Sequence, residues 1–172
     1  MIKLFLSTLT IVALLSSNLF AEEKQAPTKS SSKSNEKTYV GIGLGLTEVT
    51  GLDTGFSLML NAGKALPNVS KAFGVEGSFS HSVVDPSINN VDLTVTTVAG
   101  YGTFNFELTP KINLMPKVGI LYERLSAKAT DDSFEATFGF KVLFKLESKQ
   151  TLYLDYTIIE SDIAILSLGM QF

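Results

Sequence analysis

From Tyr39 to Phe172 apolar and polar residues alternate with a period of two, the repeat that sends successive side chains to opposite faces of a β-strand. In residues 39–47, Val40, Ile42, Leu44 and Leu46 share one parity, while the other holds Tyr39, Gly41, Gly43, Gly45 and Thr47. Residues 55–64 repeat the split, with Phe56, Leu58, Leu60 and Ala62 opposite Ser57, Met59, Asn61 and Gly63. Phe73, Val75 and Phe79 alternate with Gly74, Glu76, Ser78 and Ser80. In residues 134–146, Phe134, Phe138, Phe140, Val142 and Phe144 face away from Glu135, Thr137, Gly139, Lys141 and Lys145. Leu152, Leu154, Tyr156 and Ile158 oppose Tyr153, Asp155 and Thr157, and Leu166, Leu168, Met170 and Phe172 oppose Ser167, Gly169 and Gln171.

Two further stretches alternate less cleanly. Residues 112–124 point Leu114, Val118, Ile120 and Tyr122 one way and Asn113, Lys117, Gly119 and Glu123 the other, and Pro116 predicts a bulge or a strand end. Residues 91–106 place Leu93, Val95, Ala99 and Tyr101 on the apolar face. Phe104 and Phe106 then fall on the opposite parity, so a bulge near Gly102 or Thr103 is expected. The total is eight strands joined by short turn-forming segments at 48–53, 66–70, 81–90, 108–111, 127–133, 148–150 and 160–162, which suits an antiparallel meander.

What the two faces carry decides where such a sheet could live. A soluble sandwich or lipocalin-like barrel fills its interior with bulky apolar groups and wets its outside. Here the polar parity holds Glu76, Lys117, Glu123, Lys141, Lys145 and Asp155 amid glycine and serine. A lipid-exposed Lys near the bilayer midplane costs about 2–4 kcal/mol, so turning Phe and Leu outward toward acyl chains is the cheaper arrangement. The charges then pair inside the cylinder, or some of them sit at its rims in water. A strand of about 10 residues tilted near 40° climbs about 25 Å, the height of an outer-membrane apolar band. Closure satisfies every backbone group where no water is available.

The N-terminus supports export. Lys3 precedes an uncharged, largely apolar run over 4–15, and the segment ends in Ala21 before Glu22, so a signal peptide is expected at 1–21. Residues 22–37 (EEKQAPTKSSSKSNEK) contain almost nothing to bury and read as a disordered periplasmic tail, leaving 38–172 for the barrel. No later stretch approaches the length of a membrane helix.

Composition removes several chemistries. The chain has no Cys, which excludes thiol catalysis and Cys-ligated zinc, and its single His81 excludes a His-rich metal site. Fourteen Lys and Arg against 17 Asp and Glu give −3, a poor balance for nucleic acid.

Taken in order, the leader, YVGIGLGL, GVEGSFS, KVGILYERL, LDYT and a final LSLGMQF ending in Phe172 resemble the small eight-stranded outer-membrane β-barrels of the OmpA, OmpX and Opa type. The resemblance spans Tyr39 to Phe172 and implies an all-β, up-and-down transmembrane barrel in the cell outer membrane, with outer-membrane lipid and lipopolysaccharide around it. It also implies periplasmic chain ends, periplasmic turns near Pro67, Pro110 and Ser148, and short outer loops. The alternating Leu166, Leu168, Met170 and Phe172 are similar to the signal that the barrel assembly machinery reads in this family.

Eight strands leave room only for the barrel's own side chains. The first reading is therefore a structural or surface-interacting protein, not an enzyme and without cofactor or metal, whose interior charge network is Glu76, Lys117, Glu123, Lys141 and Asp155. A second is a lipid A-modifying enzyme using His81 with Ser80, Ser82 and Glu76, although neighbours on a strand point apart. A third is a surface ligand-binding or adhesion barrel whose contacts are Asp85, Pro86, Asn89 and Asn90 in its longest loop. Asp131 and Asp132 could hold a divalent ion, or serve as solvated turn formers. Tyr39, Tyr101, Tyr122 and Tyr156 are candidates for interfacial belts.

Overall fold

Each alternating stretch forms a strand, and the strands are longer than the turn-forming residues suggest. The computed structural model describes residues 37–88, 91–127, 130–148, 150–159 and 163–172. The expected leader and all of the expected tail except Lys37 lie outside the described residues. The elements in chain order are β1 (Thr38–Val49), β2 (Gly55–Ala65), β3 (Phe73–Val84), β4 (Ser87–Ile88), β5 (Val91–Asp92), β6 (Thr94–Phe104), β7 (Phe106–Thr109), β8 (Ile112–Ser126), β9 (Thr130–Lys145), β10 (Thr151–Ile159) and β11 (Ile163–Gln171).

The main sheet runs β6-β3-β2-β1-β11-β10-β9-β8-β7, and β6 also pairs with β8, so the sheet closes on itself. Because β6 and β7 are two halves of one broken strand, the result is a closed eight-stranded antiparallel barrel. The seam joining first to last strand extends to the chain end, where Val40 and Phe172 exchange backbone hydrogen bonds of 3.3 and 2.9 Å. The two-residue strands β4 and β5 form a separate ribbon.

Pro116 acts differently from expectation. β8 runs through it without a bulge, and its ladder to β9 stays in one register from Ile112↔Phe144 to Ser126↔Thr130. The interruption appears on the other neighbour. Thr103 pairs with Lys117 and Phe106 with Leu114, the same register on either side of Asn105. Pro116, opposite Phe104 in that register, has no N–H to give to β6, while on the other side the Asn105 N–H continues the ladder to β3 by donating to the Ala72 carbonyl at 2.8 Å.

β6 corrects a second expectation. Its ladders to β3 and β8 are continuous past Gly102 and Thr103, so there is no bulge there. Val95, Ala99 and Tyr101 point into the barrel and are buried, while Val98, Gly100 and Phe104 point out. The parity carrying Phe104 was the outward one. The turns shrink too: residues 81–84 belong to β3 and 130–133 to β9.

Orientation follows from exposure. Phe134 is 77% exposed, Ile120 70% and Leu44 64%, whereas Lys141 is 0% and Asp155 2% exposed. From Ile112↔Phe144 to Tyr122↔Phe134 the outward residues of β8 and β9 are apolar but for Tyr122, a run of ten steps. At about 3.3 Å per step and a tilt near 40° that climbs about 25 Å. It stops at Arg124↔Asp132.

Candidate functional site

The interior is layered, and alternation on β8 sets the order: Asn113, Met115, Lys117, Gly119, Leu121 and Glu123 all point inward. Nearest the end that carries Lys37 and Phe172 is an open cup of ≈ 920 Å³ of mixed lining, with Thr103, Asn113 and Gln171 beside Phe73 and Leu146. Beneath it Met115, Leu143 and Tyr153 form a small apolar cluster. A layer of charge follows. Beyond that, Met59, Ala99, Tyr101, Leu121, Ile159, Ile163 and Ile165 close the lumen with apolar packing.

The charge layer joins four side chains from β3, β8, β9 and β10. Lys141 Nζ donates to Glu76 Oε2 at 2.5 Å, and Lys117 Nζ donates to Asp155 Oδ2 at 2.7 Å. The cross pairs are looser, with Lys141 3.6 Å from Asp155 and Lys117 3.9 Å from Glu76. Signs therefore alternate around a neutral quartet, so each ion is flanked by two of opposite charge. Neighbouring groups add partners: Tyr39 Oη donates to Glu76 at 2.6 Å and Thr157 Oγ1 to Asp155 at 3.0 Å. The Lys117 ammonium lies 4.5 Å from the centre of the Tyr101 ring, and that of Lys141 lies 4.8 Å from Tyr153. Such cation–π contacts partly replace lost hydration.

Glycines make room for these rings. Tyr153 on β10 lies beside Gly169 on β11, which lies beside Gly43 on β1. A Cβ at Gly43 or Gly169 would run into the Tyr153 phenol and the adjoining backbone. The bare parity of β1 is thus the floor on which a neighbour's ring rests.

Of the five candidate network residues, Glu76, Lys117, Lys141 and Asp155 come together. Glu123 is buried but lies beyond Leu121 and is not one of the four. Lys145 sits part-exposed at the rim, 3.5 Å from Glu107. Tyr39 and Tyr101 face the lumen, which leaves Tyr122 and Tyr156 as the outward tyrosines of the four expected belt members. The roles of Tyr39, Tyr101 and Tyr153 around the quartet were missed; Tyr39 shares the parity of Gly41, Gly43 and Gly45 and Tyr153 that of Asp155, which was the available signal for those two, whereas Tyr101 lies opposite Gly100 and Gly102 and carried none.

The other candidate constellations separate. His81 lies within β3 rather than in a solvated loop, and its Nδ1 is hydrogen-bonded to Thr96 Oγ1 at 2.8 Å. It points outward, whereas Ser80, Ser82 and Glu76 point inward and are buried, so the four do not form one site. Asp85 accepts from Thr94 at 2.7 Å and Pro86 is buried, while Asn89 and Asn90 lie outside the described residues. Asp131 accepts the Asp132 N–H, and Asp132 faces Arg124 at 3.4 Å.

A family model for the outer membrane protein beta-barrel domain matches residues 10–168. The chain belongs to this family. Among solved members of the same fold, this outer-membrane barrel is similar to Neisserial surface protein A, at 11% identity over 78% of this chain and 94% of that one, with a TM-score of 0.59. It is similar to Ail of Yersinia pestis in a phospholipid bilayer nanodisc, at 14% identity over 80% and 99% and a TM-score of 0.54. A major outer membrane protein from Thermus thermophilus gives 9%, 78%, 98% and 0.58 in the same measures. No curated protein matches the barrel in sequence.

Proposed function

We propose that the chain is a structural outer-membrane protein with a sealed lumen, neither an open pore nor an enzyme. The quartet of Glu76, Lys117, Lys141 and Asp155 carries this reading, because it fills the cross-section with mutually neutralised charge whose side chains are at most 3% exposed. In this reading residues 1–21 direct export, both chain ends lie in the periplasm, and outer-membrane lipid and lipopolysaccharide surround the apolar band. The barrel assembly machinery reads Leu166, Leu168, Met170 and Phe172. An adhesion role gains no support from Asp85 and Pro86, which are tied back into the barrel. The test is conductance in planar lipid bilayers beside unboiled and boiled gels of the outer-membrane fraction. A heat-shifted band with no steady current is expected; a stable open channel, or absence from that fraction, overturns the proposal.

A further inference from the structure

The cup at the end of the lumen that carries Lys37 and Phe172 is a cavity that the quartet does not use. Its ≈ 920 Å³ falls within the range of small-ligand sites. Among the described residues that line it, Lys37, Lys64, Lys71 and Lys145 stand against the single carboxylate of Glu107, so four positive charges meet one negative and leave +3. Asn113 adds an independent observation. Its side chain lines the cup and is 6% exposed, its Nδ2 donates to Asn105 Oδ1 at 2.8 Å, and its Oδ1 has no hydrogen-bond partner. A buried acceptor left in that state carries a desolvation cost that a ligand N–H offsets. Asn105 is exposed and can turn aside to admit such a donor.

We propose that the cup binds the free carboxy-terminal end of a protein tail whose last side chains are apolar. The inference goes beyond the structural role given above and rests on the outer-membrane reading, under which the chain ends and the cup face the periplasm. A peptide end answers three features of the lining at once. Its carboxylate suits the excess of lysine, its backbone N–H groups suit the Asn113 oxygen, and its apolar side chains suit Met115, Leu143 and Phe73. A fatty acid would leave Asn113 unanswered, and an inorganic anion would leave the apolar wall bare.

Lys145 is the lysine that the register brings nearest to Asn113. It shares the inward parity of Lys141 and Leu143 on β9, and Leu143 pairs with Asn113, so Lys145 lies one inward position beyond the partner of Asn113. Glu107, 3.5 Å away, holds the Lys145 ammonium at the rim. That pair also gives the proposal a sign. Glu107 repels the carboxylate that Lys145 attracts, so the two residues act oppositely on the ligand, whereas an ion pair with a purely structural role would lose the same contact from either side.

The full chain is placed in phosphatidylcholine nanodiscs, whose lipid carries no net charge, and titrated by fluorescence anisotropy with a labelled tetrapeptide ending in L-leucine. Binding that weakens with added salt is expected. The carboxamide, which lacks the charge, and an analogue with esters in place of its peptide bonds, which lacks the N–H donors, should each bind about tenfold more weakly, the scale of one such contact. Asn113→Leu should lower affinity for the peptide about tenfold and leave that for the ester unchanged. Lys145→Gln should weaken binding and Glu107→Gln should tighten it, while Lys111→Gln, outside the lining, should do neither. Heat-shifted mobility checks that every variant is folded. No binding at millimolar peptide, equal binding of peptide and ester, displacement by an equal concentration of inorganic phosphate, or tighter binding of a peptide ending in D-alanine, as cell-wall peptides do, overturns the proposal while leaving the membrane reading intact. A wild-type chain that does not enter nanodiscs overturns both.

Discussion

Lys141 on β9 donates to Glu76 on β3 across the lumen, joining residues 65 positions apart in the chain. Both side chains are 0% exposed, so neither can exchange its partner for water. Neutralising one leaves the buried quartet with a net charge that water cannot compensate. Glu76→Gln or Lys141→Met should each cost about 3–5 kcal/mol, read as a fall in the urea midpoint of the barrel refolded in lipid vesicles. The double variant should lose less than the sum of the two, because it removes both charges together. Strict additivity would mean that the pair contributes nothing as a pair.

The glycines should divide by what stands over them. Gly43→Ala pushes a methyl into the Tyr153 ring and the backbone of β11, and a crowded site of that kind loses about 1–3 kcal/mol or more. Gly100→Ala places the same methyl in open space on the lipid-facing side and should leave stability unchanged. The folded fraction on unboiled gels, across a urea series, separates the two. Equal behaviour would mean that Tyr153 does not rest on β1.

Parity made the sheet and the inward placement of Lys117, Lys141, Glu76 and Asp155 legible in the sequence, because charge and small polar residues stood opposite the Phe and Leu of β3, β8, β9 and β10. β6 was misjudged for a physical reason: its inward set contains Val95, Ala99 and Tyr101, and its outward set contains Gly100, Gly102 and Thr96. Apolar content is higher inside there, since that part of the lumen is packed with Leu121, Ile163 and Ile165. A strand whose inward face is greasy inverts the rule that works for its neighbours. Phe104 held the correct signal, but choosing it required the register to β3 and β8. The pairing within the quartet was likewise beyond a single strand's pattern, as it depends on the mutual register of four strands.

The outward face gives a depth-graded test. Phe138 lies within the apolar run of β9, whereas Phe134 is its last residue before Asp132. A Lys at the midplane costs about 2–4 kcal/mol and near the interface about 0–1 kcal/mol. Phe138→Lys should therefore lower the urea midpoint in vesicles far more than Phe134→Lys. A soluble barrel would show no such gradient, because a lysine on either outward position would be wetted.

Phe172 joins two roles that substitution and deletion can separate. Its backbone exchanges hydrogen bonds with Val40 and thereby extends the seam between β11 and β1 to the chain end, while its ring is 62% exposed on the outward face. Phe172→Ala keeps the backbone bonds and removes the terminal aromatic; deleting the residue removes both. If the assembly machinery recognises the ring together with Leu166, Leu168 and Met170, Phe172→Ala should reduce the heat-shifted band in cell outer membranes while refolding normally in purified lipid vesicles. Deletion should impair both, since the seam then loses its last pair. A Phe172→Ala chain that accumulates normally in cells would remove the recognition role and leave the residue as the end of the seam.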